Sequence, residues 1–350
     1  MAERIRPSDE VVQANIKKWG IPQPEQEYVV LIHCSTYNHG KYIKDTLEGF
    51  VNQKCTYTFC AIIIDDCSTD NSPDIIREYA RRYPKIIKPI LLGENHMQHG
   101  LLRDPYFENW HKSAKYLAQC EGDDFWTDPM KLQKQVEIME DTPDVAMIHT
   151  DCAILDEDSH SLSHYINRKM TNNNNIDTSD WYNSIISYYR GELVVRTCTS
   201  LIRLDVLRSV RDADPFLFDG HLKLGDTQTW VGILLKKNRI KYIDEETSVY
   251  RVHKGSASHA TSYQKQLQFA ISRYEIRLYY SRKYHILKEF PDTEKKYYQY
   301  IRIYRLLYAP FYEDIDGNTK DKNILLRLLA KSRLFKRVLL LLLDLKHIVS

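Results

Sequence analysis

Glycine is scarce in this chain, 12 of 350 residues, or about 3% against roughly 7% in average usage. No G-x-G-x-x-G or G-x-x-x-x-G-K-[ST] stretch occurs, which argues against the backbone phosphate cradles of dinucleotide-binding dehydrogenases and P-loop nucleotidases. The seven cysteines (34, 55, 60, 67, 120, 152 and 198) are odd in number and never spaced C-x-x-C. Most sit among apolar residues, as small hydrophobes do, so a reducing compartment is expected rather than a disulfide framework. The 13 histidines show no H-x-H or H-E-x-x-H spacing, so a zinc site of that kind is not expected. The longest uninterrupted Val/Leu run, 338–343, falls far short of the roughly 20 residues that span a bilayer. The start, MAERIRPSDE, has no apolar signal core. Neither secretion nor a membrane span is expected.

Net charge is also nearly absent: 49 Lys and Arg against 47 Asp and Glu leave +2. The balance is uneven along the chain. Residues 261–350 hold 18 basic against 9 acidic residues, and residues 1–260 hold 31 against 38. An acidic portion and a basic tail are expected to meet different partners. Nucleic acid is disfavoured for the acidic portion.

With 43% hydrophobic residues, the chain is globular and longer than the roughly 100–200 residues usual for one domain. Residues 28–34, 59–65, 86–92 and 145–149 are apolar runs of buried-strand length, and each of the first two precedes a helix-length segment. This alternation predicts a parallel sheet in an α/β fold. Helices are expected at 73–82 and 129–140, where Ser72-Pro73 and Asp128-Pro129 supply a cap and a proline in the first turn. A further helix is expected over 106–117, leading into a short strand at 116–120. Residues 156–180 are polar, with four consecutive asparagines, and read as a loop. Beyond 260 the pattern is helical and rich in Tyr, Leu and Arg.

Ligands of a doubly wound sheet bind outside the carboxyl ends of the strands. Three polar clusters directly follow predicted strands: Ser35 to Asn38, Asp65 to Asp70, and Glu121 to Asp124. Converging carboxylates repel one another unless a cation, hydrogen-bond donors or protons offset them. Carboxylate oxygens suit Mg²⁺ or Mn²⁺, and Mg²⁺ is commonly held by one or two carboxylates together with substrate phosphates. That points to a nucleotide diphosphate ligand. The same D-D-C-S-T-D-N-S stretch is equally good turn chemistry with Asx caps, and Glu121 to Asp124 could be a solvated loop. Arg103 could pair with a diphosphate through its guanidinium fork, or could be a solvated loop residue. Trp126 and Trp230 have apolar neighbours and read as core or as sugar platforms.

S-T-Y-N at 35–38, I-I-I-D-D-C-S-T-D-N-S at 62–72 and C-E-G-D-D-F-W-T-D-P-M-K-L-Q-K-Q-V at 120–136 resemble a family 2 glycosyltransferase of the GT-A fold, in the bacterial cell-surface polysaccharide branch. Weaker similarity continues through L-G-D-T-Q-T-W at 224–230 and Y-R-V-H at 250–253. The resemblance implies a doubly wound, mostly parallel sheet flanked by helices, with a C-terminal all-helical extension. The expected domains are an N-terminal extension at 1–27, a catalytic domain at 28–258 divided at 150 into nucleotide-sugar and acceptor parts, and a basic helical region at 259–350. Ser35, Tyr37, Asp65, Asp66, Arg103, Glu121 and Asp124 are expected to line the nucleotide-sugar site; by the same resemblance Tyr37 would stack on the base and Asp66 would accept from base or ribose. Asp123 would hold the metal. His253 would reach the metal or the diphosphate, the alternative being an ordinary structural histidine. Asp226 would be the general base, although Gly225 stands where relatives carry Glu.

The implied reaction is an inverting, metal-dependent hexosyl transfer from a nucleotide sugar, foremost a UDP-sugar, to a glycan or lipid-linked glycan hydroxyl. A nucleotidyltransferase and a non-catalytic sugar-nucleotide binder are the competing readings. Residues 327–346 combine basic and apolar positions, as interfacial helices do, or form a helix packed on the catalytic domain. The expected location is cytoplasmic, either free or peripheral on the cytoplasmic face of the inner membrane. Donor and acceptor specificity is expected in the loops of 156–200.

Overall fold

The computed structural model describes residues 4–165, 195–236, 238–254, 262–285, 291–309 and 312–319. The expected interfacial segment 327–346 and most of 156–200 lie outside them. In chain order the elements are α1 (Asp9–Trp19), β1 (Tyr28–Thr36), α2 (Ile43–Val51), β2 (Phe59–Asp65), α3 (Ser72–Arg82), β3 (Ile87–Leu91), α4 (His96–His99), α5 (Glu108–Lys112) and β4 (Ala114–Gln119). Then follow β5 (Phe125–Trp126), α6 (Lys131–Asp141), β6 (Val145–Asp156), β7 (Ser161–Tyr165), β8 (Leu201–Arg203), α7 (Leu204–Ala213), α8 (Thr227–Leu235), β9 (Arg239–Val252), α9 (Tyr263–Lys283) and α10 (Asp292–Leu307).

The chain divides into two units. One comprises Ala2–Gly220 and Gln228–His253, and the other His221–Thr227 with Lys254–Ser350. The first is built on a nine-stranded sheet of order β3-β2-β1-β4-β8-β6-β9-β5, with β7 paired to β6. The β3-β2-β1-β4 half is parallel, as is the β6–β9 pair, while β8, β5 and β7 run antiparallel to their neighbours. The parallel strands are covered on both faces, which is why they read as unbroken apolar runs. Val30, Ile32, Ala61 and Ile63 pack with Ile43, Leu47 and Phe50 of α2 and Ile76 of α3.

Several expectations need adjusting. Over 106–117 the chain makes a 3-10 turn (Asp104–Tyr106) and a short α5, and then already enters β4. Tyr116, Leu117 and Ala118 are drawn into the sheet because β1 offers them a ladder. Ser72 lies inside α3 rather than capping it, and its N–H and hydroxyl both donate to Asp70. β6 runs to Asp156, well past the expected 149. Its polar pair is satisfied within the sheet, Thr150 by the Thr247 hydroxyl and Asp151 by the Tyr242 hydroxyl. Part of the expected 156–180 loop forms β7. Trp126 and Trp230 are 4% and 0% exposed, and the Trp126 indole N–H donates to the Cys198 carbonyl at 2.9 Å. Both rings are core, since neither offers a face to a sugar.

Beside Trp126, Lys131 is fully buried, its ammonium 4.6 Å from the ring centroid and 2.7 Å from the Gln135 amide oxygen. Burial pushes its pKa down to about 8 from 10.5, so the unfolded chain binds the proton more tightly between those values and stability should rise with pH across that window. The difference corresponds to about 3 kcal/mol. Urea unfolding of wild type and Lys131→Met at pH 7.5 and 10.5 measures it: the variant's stability relative to wild type should fall by about that amount on going to the higher pH. A pH-independent difference would contradict it.

The second unit contains a hairpin of α9 and α10 around Leu267, Ile271, Leu278, Tyr297, Ile301, Tyr304 and Tyr312. Among the described residues no helix is long and apolar enough to cross a membrane.

Candidate active site

The loops after β1, β2 and β4 are stitched together where their strands end. The Asp66 N–H donates to the Thr36 carbonyl at 3.1 Å, Cys120 N–H to His33 O at 3.2 Å and Gly122 N–H to Ser35 O at 2.9 Å. Across the first two loops, Asn38 N–H donates to the Ser68 hydroxyl and Thr69 N–H to the Asn38 side-chain oxygen, both at 2.8 Å. Asn38 adopts the left-handed region (φ 55°), which asparagine tolerates better than most residues. This turn leaves the neighbouring Tyr37 ring 42% exposed.

The acidic residues separate into two groups. Asp65 accepts from the Ser68 N–H and hydroxyl, and Asp66 accepts from His96 N–H at 2.9 Å and Met97 N–H at 3.0 Å, at the start of α4. Both are 1% exposed, and through these bonds they shape the loops. Asp124 is likewise buried, and its carboxylate accepts from Arg251 N–H at 2.8 Å. Burial pushes its pKa well above the usual carboxylate range. In all three a backbone amide holds the carboxylate in place. Glu121 is half-buried in the same loop.

Asp123 points the other way. Its Oδ2 lies 3.0 Å from His253 Nε2 and 3.9 Å from His39 Nε2. One donor atom from each of the three residues falls within 4.8 Å of the others. This is the spacing at which one cation can be shared, and a carboxylate with two imidazoles is a donor set that fits a divalent metal. Burial lowers the His39 pKa, with Asp123 opposing, which favours the neutral ring. Gly122 is required here, since a Cβ would meet Thr36 Oγ1 at 2.6 Å and His39 Nδ1 at 3.0 Å.

Arg251 holds the arrangement. Its guanidinium donates to the Asp123 carbonyl and to Asp45 Oδ2, both at 2.8 Å, and lies 3.0 Å from Glu157. It also stacks over Tyr42 at 4.8 Å and Phe125 at 4.9 Å, and the Tyr42 ring packs on His253 at 4.6 Å. The Thr46 hydroxyl of α2 donates to the carbonyls of Gly122 and Asp124. Behind Ser35, the His33 ring lies 3.2 Å from the Ser35 hydroxyl and 3.2 Å from His111. Burial lowers both imidazoles, His111 to about 4, so this pair is neutral at physiological pH. Arg103 is half-buried at the start of the 3-10 turn and has no carboxylate partner among the described residues.

Asp226 belongs to the second unit. Its carboxylate accepts from Thr227 N–H at 2.7 Å and faces the Thr227 hydroxyl at 3.3 Å, at the start of α8. The segment that carries it is tied to α9. His221 meets buried Glu275 at 2.9 Å, and Lys223 N–H donates to the Ser272 hydroxyl at 2.9 Å. Sequence reasoning missed His39, Tyr42 and Arg251. The first follows S-T-Y-N by one position, and the last lies inside the quoted Y-R-V-H.

Residues 32–200 match the family model described as glycosyl transferase family 2. An uncharacterised protein of Mycobacterium bovis is 39% identical over 130 residues, 37% of each chain. An uncharacterised glycosyltransferase of Nostoc is 25% identical over 283 residues, 77% of this chain and 83% of its own length. A Bacillus subtilis protein provisionally named teichuronic acid biosynthesis glycosyltransferase TuaG is 30% identical over 138 residues, 39% of this chain and 52% of its own. The chain thus spans 37% of the length of the mycobacterial relative it matches. Among solved structures, residues 1–349 of S. aureus TarS share the fold at a TM-score of 0.51 and 18% identity, covering 80% of this chain and 74% of that one.

Proposed function

We propose that this chain, whose residues 32–200 match the glycosyl transferase family 2 model, is a member of that family and moves a sugar from a nucleotide diphosphate sugar to an acceptor hydroxyl, with inversion, in building a cell-surface polysaccharide. The observation that carries the reading is the convergence of Asp123 and His253 beside the exposed Tyr37 loop, outside the carboxyl ends of β1, β2 and β4. In this reading the Tyr37 ring takes the base, the Ser35 hydroxyl, oriented by His33, contacts the nucleotide, and the Arg103 guanidinium faces phosphate oxygens. Asp123 and His253 hold a divalent cation, which when bound supplies positive charge against the leaving diphosphate.

Asp226 accepts the proton of the acceptor hydroxyl as that oxygen bonds to the anomeric carbon. The bond from that carbon to the diphosphate oxygen breaks on the opposite face, and the electron pair leaves with the nucleoside diphosphate. No covalent sugar–protein intermediate is required. The name of the Bacillus relative supports a polysaccharide acceptor, and a cytoplasmic place, with or without membrane contact through 327–346, suits a lipid-linked one.

Incubation with UDP-, GDP-, CMP- and dTDP-sugars and Mn²⁺, with donor binding followed by thermal shift and products by chromatography, tests the reading. Binding of one of the diphosphate donor classes and release of its nucleoside diphosphate is expected, with the CMP-sugars, which carry a single phosphate, left unused. Release of a sugar 1-phosphate in place of a nucleoside diphosphate would indicate nucleotidyl transfer and refute the reading.

A further inference from the structure

We infer that His39 is a third metal ligand, and that the resulting site of two imidazoles and one carboxylate takes a first-row transition cation and discriminates against Mg²⁺. The inference rests on the proposed metal-dependent reading and adds the ligand that decides which cation serves it.

Three separate parts of the fold deliver the donors: the turn after β1 brings His39, the loop after β4 brings Asp123, and the residue following β9 is His253. Each is held independently of the others. Backbone hydrogen bonds from Tyr42 and Ile43 to the His39 carbonyl, both 2.8 Å, fix the first. The Arg251 guanidinium fixes the second through the Asp123 carbonyl. The Tyr42 ring packs on the third, and the His39 and His253 rings stand perpendicular with centroids 6.2 Å apart. The side chains are 17%, 15% and 10% exposed, respectively, so the donors face one another at the edge of the protein with little solvent between them.

A hydrogen bond between His253 and Asp123 explains two of these groups without a metal, but it leaves His39 unexplained. The His39 Nε2 stands 3.9 Å from Asp123 Oδ2, too far for a hydrogen bond, and its Nδ1 is buried without a partner. A cation bonded to all three donors accounts for the ring being there. The donor types then set the choice of cation. Mg²⁺ requires near-octahedral oxygen coordination and releases its waters reluctantly, whereas imidazole suits first-row transition ions. Three protein ligands leave coordination positions open for oxygens of a bound ligand.

The test uses the full chain without nucleotide. Binding of Mn²⁺ and of Mg²⁺ is measured by calorimetry, and the number of histidine nitrogens on bound Mn²⁺ is counted by electron spin-echo modulation. Wild type should bind Mn²⁺ roughly tenfold or more tightly than Mg²⁺ and show two nitrogens. His39→Ala should lose roughly tenfold or more in Mn²⁺ affinity and show one. His39→Asp should move the preference towards Mg²⁺. Unfolding midpoints in the absence of metal check that the variants are folded. Equal affinity for the two ions, a single nitrogen in wild type, or unchanged Mn²⁺ affinity in His39→Ala would each overturn the inference. If Mn²⁺ binding depends on Asp123 but not on His39, the inference fails and the proposed reaction stands. A two-nitrogen site in a protein that transfers no sugar has the opposite meaning.

Discussion

Asp226→Asn should lower kcat by roughly 10²–10⁴-fold, the range typical of a lost general base, while donor affinity stays near that of wild type. Asparagine preserves the shape of the site. Its amide oxygen can still accept from Thr227 N–H, the bond the aspartate makes at 2.7 Å, and asparagine caps helices about as well as aspartate. The start of α8 should therefore be retained, and with it the fold around buried Trp230. What is lost is the ability to take a proton, because an amide oxygen is not a base at neutral pH. Pre-steady-state transfer rates and donor titrations measured on the same preparation separate the two effects. Near-normal transfer by the variant would remove Asp226 as the base and shift attention to another carboxylate.

Asp123→Ala should abolish Mn²⁺-dependent nucleotide binding and lower transfer by roughly 10³-fold, the scale on which a lost electrostatic stabiliser is felt in transition states. The local backbone should survive the change. Arg251 grips the Asp123 carbonyl rather than its carboxylate, Asp124 anchors Arg251 N–H, and Thr46 holds the carbonyls on either side. A variant that unfolds like wild type and binds nucleotide with no response to Mn²⁺ is the expected result. Unchanged Mn²⁺-dependent affinity would place the metal elsewhere.

The parallel half of the sheet was legible in the sequence because burial on both faces forces apolar side chains at every position. β2 was read at its true ends, Phe59 and Asp65. β5 and β8, two and three residues long, leave no periodic signal. Their existence depends on distant partners, as when Phe125 pairs with Val249. β9 was hidden for another reason, since its middle, D-E-E at 244–246, is exposed and polar. In the site, the location of the acidic clusters followed from their places after strands, but the role of each carboxylate did not. Asp66 and Asp123 look alike in sequence. Only the amides of His96 and Met97, supplied by a loop thirty residues away, decide that one is buried and the other faces imidazoles. His39 went unread because the lone histidine beside a turn asparagine acquires meaning only when residues 123 and 253 arrive next to it.

The tie between the Asp226 segment and α9 has an evolutionary consequence. His221 and Glu275 are 54 positions apart, and Lys223 and Ser272 are 49 apart, yet each pair is in contact, the first buried and the second half-buried. A change to His221 or Glu275 breaks their side-chain contact, whereas the N–H at 223 comes from the backbone and depends only on the Ser272 hydroxyl. Among related chains positions 221 and 275 should therefore vary in concert, and a graft that exchanges the C-terminal helices between relatives should carry residues 221–226 with them.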